Sequence, residues 1–162
     1  MTTPAAVDVD EAAADSDAVV VRLGAGRFAV SLGSVAEVGR VPAVTRVPGM
    51  PGWVAGVANW RGRILPILDL RSLLGAAETP LAASARLLVL GADGMTVGLL
   101  VEAVEGTAVV STSAEPFPAT LAGTAARLLA GQVPHEDGPV AVLDVDAVLR
   151  MRESLPRGRR SA

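Results

Sequence analysis

A succession of short apolar runs, each bounded by Gly, Pro or a charged residue, limits what this chain can fold into. AVVVRL (18–23) and RFAVSL (27–32) flank Gly24-Ala25-Gly26, a hairpin signal. VAEVGRV (35–41) alternates as a third strand, and VPGMPG (47–52) is punctuated as a loop. VAGVANW (54–60) and RILPILDL (63–70) come next, joined through Arg61-Gly62. Pro66 inside the second run predicts an edge strand or a bulge. RLLVLG, MTVGLLV and VEGTAVV supply three more runs, and PVAVLD (139–144) the last. Helices are few. Asp69 can cap a short one through Leu74, Asp144 can cap VDAVLRMRESL, and 120–129 is a third candidate. Many short strands with Gly/Pro turns favour closed β-barrels over an open sheet.

The order of runs repeats. VVVRL–GRFAVSL–VAEV near the start parallels RLLVL–GMTVGLL–VEAVEG near the middle, and ILPILDLRSLL is echoed by GPVAVLDVDAVL. Each half reads as a hairpin, a further strand, and an apolar strand ending in Leu-Asp. This predicts two small β-barrel lobes on one pattern, with 56–74 in the first.

At 162 residues and 51% hydrophobic, the chain can bury a real core. Residues 1–17 read as a disordered acidic tail, 18–152 as the folded domain, and 153–162 as a basic, disordered tail. The acidic start lacks the basic and apolar regions of a signal peptide, and the apolar stretch 87–104 is interrupted by Asp93, Gly94 and Glu102. Neither a membrane span nor direct membrane insertion is expected. Net charge is −3, and all 14 basic residues are Arg without a long internal cluster, which disfavours nucleic acid as a partner. Zero Cys fits a reducing cytoplasm.

Catalytic patterns are sparse. His135, the single His, lies in the polar stretch VPHEDGP and reads as a general base or, more simply, as an exposed loop residue. No Gly-x-Ser-x-Gly elbow places a nucleophile. One His and no Cys leave only carboxylates for a metal, without the spacing of a Ca²⁺ loop, so no metal or cofactor is expected. Asp69 and Asp144 could converge as acid and base, but both also stand where a helix cap is needed. Gly24-Ala25-Gly26 lies between strands, not ahead of a helix, so it does not suit a phosphate.

The stretch 56–74, GVANWRGRILPILDLRSLL, concentrates residues rare in this chain: its only Asn, Asn59, and both Ile, Ile64 and Ile67. Arg61 and Arg63 flank Gly62 at a strand turn, and Arg suits forked hydrogen bonds to a partner carboxylate. Trp53 and Trp60 bracket the hairpin as core or interface residues. Glu37 and Glu105 occupy corresponding places in the two halves, as partner contacts or as solvated strand residues.

VAGVANWRGRILPILDLRSLLG resembles the central signature of CheW-like domains, through Gly56, Val57, Asn59, Arg61, Gly62, Pro66 and Asp69-Leu70-Arg71. RFAVSLGSVAEV, TVGLLVEAVEG and LLAGQVPHEDGPVAVLDVDAVL resemble the family's opening, middle and closing segments, so the likeness runs from about 18 to 152. It implies an all-β fold of two SH3-like five-stranded barrels with a hydrophobic groove between them and a C-terminal helix. It also implies a non-catalytic cytoplasmic adaptor that couples the cytoplasmic tip of methyl-accepting chemoreceptors to the regulatory domain of the histidine kinase CheA. Val35, Glu37, Asn59 and Arg61 would then be receptor-side or structural positions near the groove, Gly62 a further protein-binding position, and Gly56 on the part of the first lobe that meets the kinase. Gly98 and Gly131 would be tight backbone positions in the second lobe. Trp60 departs from the signature, where an aliphatic residue is usual, and 112–127 matches only loosely. Competing readings are a CheW-like adaptor of a pathway controlling pili, development or transcription, a small hydrolase using Asp69 or Asp144, and a ligand-sensing β-barrel.

Overall fold

The computed structural model describes residues 16–77, 79–110 and 124–155. The stretches read as terminal tails lie wholly or largely outside them, as does most of the loosely matching loop. Ten strands are described: β1 Ser16–Leu23, β2 Gly26–Ser31, β3 Val35–Arg40, β4 Val54–Trp60, β5 Arg63–Leu68, β6 Arg86–Ala92, β7 Met95–Val101, β8 Ala103–Val110, β9 Leu129–Val133 and β10 Val140–Leu143. A 3-10 turn, Leu32–Ser34, joins β2 to β3, and the helices are α1 Thr124–Leu128 and α2 Val145–Glu153. The sequence predicts a helix to residue 129 and no strand at β9. The helix ends one residue earlier, and a strand begins there.

The strands form two five-stranded sheets, β8-β1-β2-β10-β9 (sheet 1) and β3-β6-β7-β5-β4 (sheet 2). Advancing each strand by half the set converts one order into the other, so the duplication is real. Its halves are not the lobes, however. Each half keeps its hairpin and its last two strands apart: β3 leaves β2 to pair with β6, β8 leaves β7 to pair with β1, β4–β5 join β6–β7, and β9–β10 return to β1–β2. The stretch 56–74 therefore sits with β3, β6 and β7, not with the opening hairpin. The expectation of sequential lobes is corrected on this point, because alternation specifies which faces a strand buries but not which sheet it joins.

Burial follows from this interlocking. On β1, Val19, Val21 and Leu23 face a core shared by both sheets, with Leu68, Leu88, Leu90, Val97, Leu99 and Val101 from sheet 2 and Val145, Val148 and Leu149 from α2. Ala18 and Val20, pointing the other way, join Ala29, Val110, Val133 and Val140 inside sheet 1. Ala58, Leu65, Ile67, Leu87, Val89 and Leu100 fill the inside of sheet 2. Strands buried on both faces must read as continuous apolar runs, as 18–21 and 97–101 do. Each sheet thus curls around its own small cluster, in the manner of an SH3-like barrel, and backs onto a common core.

Pro66 is tolerated because β5 touches β7 only at Ile67 and Leu68. At Pro66 the strand pairs with Val57 of β4 alone, which is locally an edge.

Candidate functional site

The β4–β5 hairpin turns in two residues, with Trp60 opposite Arg63. Arg61 (φ 52°) and Gly62 (φ 81°) are both left-handed, as a type I′ hairpin loop requires. Gly62 adopts this freely; Arg61 does so against its Cβ. The side chain of Asn59 offsets the strain by accepting a hydrogen bond from the Gly62 N–H at 3.0 Å. The Asn-x-Arg-Gly pattern is thus a turn that holds itself.

From that turn two side chains reach Glu37 on β3, at the opposite edge of the same sheet. Arg61 donates from Nε to Glu37 Oε2 at 2.6 Å and again from Nη2. Trp60 Nε1 donates to Oε1 at 3.0 Å. The Arg61 guanidinium also lies 5.6 Å from the Trp60 ring centroid, within cation–π range. Gly39 makes the approach possible, since a Cβ there would stand 2.5 Å from the Trp60 ring. The clamp closes the curled sheet where β3 and β4 meet. Arg61 first, and Trp60 after it, hold the Glu37 carboxyl below its ordinary range by hydrogen bonding to the charged form.

A second charged cluster lies at the end of β5, and sequence reading missed it. Asp69 does not cap a helix, because 71–75 is a turn. Its carboxylate accepts from the Arg71 N–H at 3.1 Å and from the Arg71 side chain in a forked pair, Nε at 3.0 Å and Nη2 at 2.9 Å. Arg71 Nη1 donates to the Thr79 carbonyl at 2.9 Å and to Glu102 Oε2 at 3.2 Å. Glu102 in turn accepts from the Gly24 N–H in the β1–β2 turn. Arg71 is 4% exposed and its pair with Asp69 is buried, while Glu102, the residue at which the chain crosses from β7 in sheet 2 to β8 in sheet 1, is half-buried. The Asp69 carboxylate, hydrogen-bonded to the Arg71 guanidinium, pushes the guanidinium pKa up. The signal was the Asp-Leu-Arg step; its distant partner Glu102 had none.

Asp144 behaves as expected, capping α2 by accepting from the Ala147 N–H at 3.1 Å. With Asp69 taken by Arg71, neither carboxylate is left free as an acid or base. His135 is half-buried in the β9–β10 loop, where its carbonyl accepts from the Gly138 N–H at 3.0 Å. Among the described residues no three His, Cys, Asp or Glu gather where they could hold a metal.

The candidate residues therefore fall into two groups. Glu37, Asn59, Arg61 and Gly62 come together at the clamp, and Val35 begins the same strand as Glu37, half-buried against the shared core. Gly56, Gly98 and Gly131 are buried and act through the backbone. Gly56 (φ 151°) lies at a bulge in β4 where a Cβ would strike the Thr45 carbonyl, and Gly131 (φ 150°) lies at the matching bulge in β9. Gly98 on β7 faces Ile67 and Leu87, at 2.7 and 2.9 Å from where a Cβ would be. It belongs to sheet 2, beside Gly56. Exposed apolar side chains next to the clamp residues, Val38 (43%) and Ile64 (68%), were not singled out by sequence; exposure on an alternating edge strand leaves no mark of its own.

Fold and site together define a two-barrel β module that presents a braced, charged turn. Residues 17–153 match the family described as the CheW-like domain, and the chain belongs to that family. It is similar to the probable chemotaxis protein CheW of Rhizobium etli, 28% identical over 86% of this chain and 91% of that one. Protein PilI of Pseudomonas aeruginosa is 44% identical over 85 residues, 52% of this chain and 48% of PilI, so that match spans about half of the relative. Among solved structures, the scaffolding protein TtCheW from Thermoanaerobacter tengcongensis superposes with a TM-score of 0.72 at 23% identity, over 80% of this chain and 84% of that one. Among the described residues no helix is long and apolar enough to cross a membrane.

Proposed function

We propose that this chain is a non-catalytic cytoplasmic adaptor that couples the cytoplasmic tip of methyl-accepting chemoreceptors to the regulatory domain of the histidine kinase CheA. The observation that carries this reading is the clamp. Arg61 and Trp60 immobilise Glu37 at the meeting of β3 and β4 and so hold a charged surface, while Val38 and Ile64 expose apolar area on β3 and β5 of the same sheet. A pre-ordered surface of this kind loses little side-chain entropy on binding. Val35, Glu37, Asn59, Arg61 and Gly62 form the receptor side, with Gly56 shaping the β4 surface towards the kinase. Gly98 and Gly131 act by keeping the two sheets in shape.

A pull-down with a receptor tip and with the kinase regulatory domain tests this. Arg61→Ala should weaken capture while leaving the unfolding midpoint nearly unchanged, since Arg61 is exposed. Capture of neither partner by the unaltered chain overturns the reading. The 44% identity to PilI, against 28% to the Rhizobium CheW, favours a second reading in which the same surface serves a chemosensory pathway controlling pili, development or transcription. Capture by receptors of one pathway and not the other separates the two.

A further inference from the structure

An apolar concavity of about 570 Å³ opens where sheet 2 meets the end of α2. Val54 and Val57 of β4, Pro66 of β5, Met95 at the start of β7, and Met50 and Leu155 line it, all half-buried. Arg152 and the exposed Glu153 also line it, and the Arg152 Nε–H is buried and without an acceptor among the described residues. Leaving a buried donor unpaired is costly, so a group that brings an acceptor to it is favoured there. The wall therefore asks for an occupant that is apolar along its length and carries a carboxylate.

The chain contains such a segment. Residues 1–15 hold Asp8, Asp10, Glu11 and Asp15 and no basic side chain. Within them Val7-Asp8-Val9-Asp10 alternates, so an extended backbone puts two Val on one face and two carboxylates on the other. The reach also fits. β10 runs parallel to β2 with Val142 beside Ala29, and continuing that register sets Asp144 level with Ser31, which pairs with Ala18 of β1. The start of α2 is then two strand spacings, about 10 Å, from Ala18, and about 12 Å from Ser16, where β1 begins two residues earlier. Its nine residues add about 14 Å. The eight steps from Ser16 back to Asp8 span about 27 Å when extended, enough to bring Asp8 to Arg152.

We propose that the acidic segment preceding β1 docks in this concavity of its own chain, with Val7 and Val9 against the Met50–Val54–Met95 wall and Asp8 accepting from Arg152.

The test uses the full chain. It has no Cys, so Ala6→Cys takes a single nitroxide label. Amide signals of Met50, Val54, Met95 and Leu155 should lose intensity, and reducing the label should restore it. Asp8→Asn with Asp10→Asn changes only the segment and should lower the docked-to-free ratio about tenfold, the loss of a charge-assisted hydrogen bond. Arg152→Met should do the same. Broadening confined to the neighbourhood of Ser16, or unmoved by neutralising the two Asp, overturns the proposal. Broadening carried between chains, in a mixture of labelled protein and isotopically enriched unlabelled protein, also overturns it and assigns the concavity to a second copy.

Discussion

The two sheets are built on one plan yet use their charges differently. Each carries a Glu on the strand it receives from the other half, Glu37 on β3 and Glu105 on β8. Glu37 is gripped from the β4–β5 turn by Arg61 and Trp60. Glu105 is gripped by Arg27 of β2 at 2.8 Å, and Arg27 also reaches Asp137 in the β9–β10 loop at 3.3 Å. Each half also ends an apolar strand in Leu-Asp. Asp144 caps a nine-residue helix, whereas Asp69 is turned onto a buried Arg71. The same dipeptide thus takes its role from the residues C-terminal to it. A helical apolar period recruits the carboxylate as a cap; a buried Arg two residues on recruits it as a counter-ion.

The sharpest break in this comparison is Arg71→Met against Asp144→Ala. Removing Arg71 leaves the buried Asp69 carboxylate without its counter-ion, and breaking such a pair costs about 3–5 kcal/mol. Loss of the α2 cap costs about 1 kcal/mol. Urea titrations of the two variants should differ by that margin. Equal losses would mean that Glu102 and the β7–β8 crossover do not depend on Arg71.

Next in size are the tight glycines of sheet 2. Gly56→Ala combines a left-handed backbone with a collision against the Thr45 carbonyl, which is backbone and cannot swing away, so a loss of about 3 kcal/mol is expected. Gly98→Ala meets only side-chain tips, Ile67 Cδ1 and Leu87 Cδ1, and should cost about 1–2 kcal/mol as the core adjusts. If Gly98→Ala proves the worse, the inside of sheet 2 is more rigid than its β4 edge.

These contrasts also mark how far the fold and the site were legible in the sequence. Hairpins were legible because Arg61-Gly62 and Gly24-Ala25-Gly26 interrupt apolar runs at turn spacing. The cap at Asp144 was legible because Val145, Val148 and Leu149 recur on one helical face. β9 was not, since 124–129 reads as a helix and Gly131 breaks the short strand beyond it. The exchange of β3 and β8 was hidden, because both partners offered to each strand are equally apolar. Glu37 and Arg61 could be nominated separately, but their pairing depends on a sheet curling until its first and last strands meet, and Gly39 gives no local sign of that.

The smallest effect is the most specific. With Glu37 held below the ordinary glutamate range by Arg61 first and Trp60 second, the clamp is present above the ordinary glutamate value and is lost as pH falls through the lowered one. The chain has two Trp, so the Trp60 indole N–H, bonded to Glu37, can be followed as one of two indole signals during an acid titration. Its midpoint should lie below that of an unpaired Glu. Arg61→Ala should raise the midpoint towards the ordinary value, and Trp60→Phe should raise it by less when followed through the Glu37 carboxyl carbon. Arg27→Ala, which leaves Glu105 in the other sheet with Arg22 alone at 3.6 Å, should leave the Trp60 signal where it was. A shift there would mean that the two clamps communicate through the shared core, and the charges of the two sheets could no longer be treated as independent.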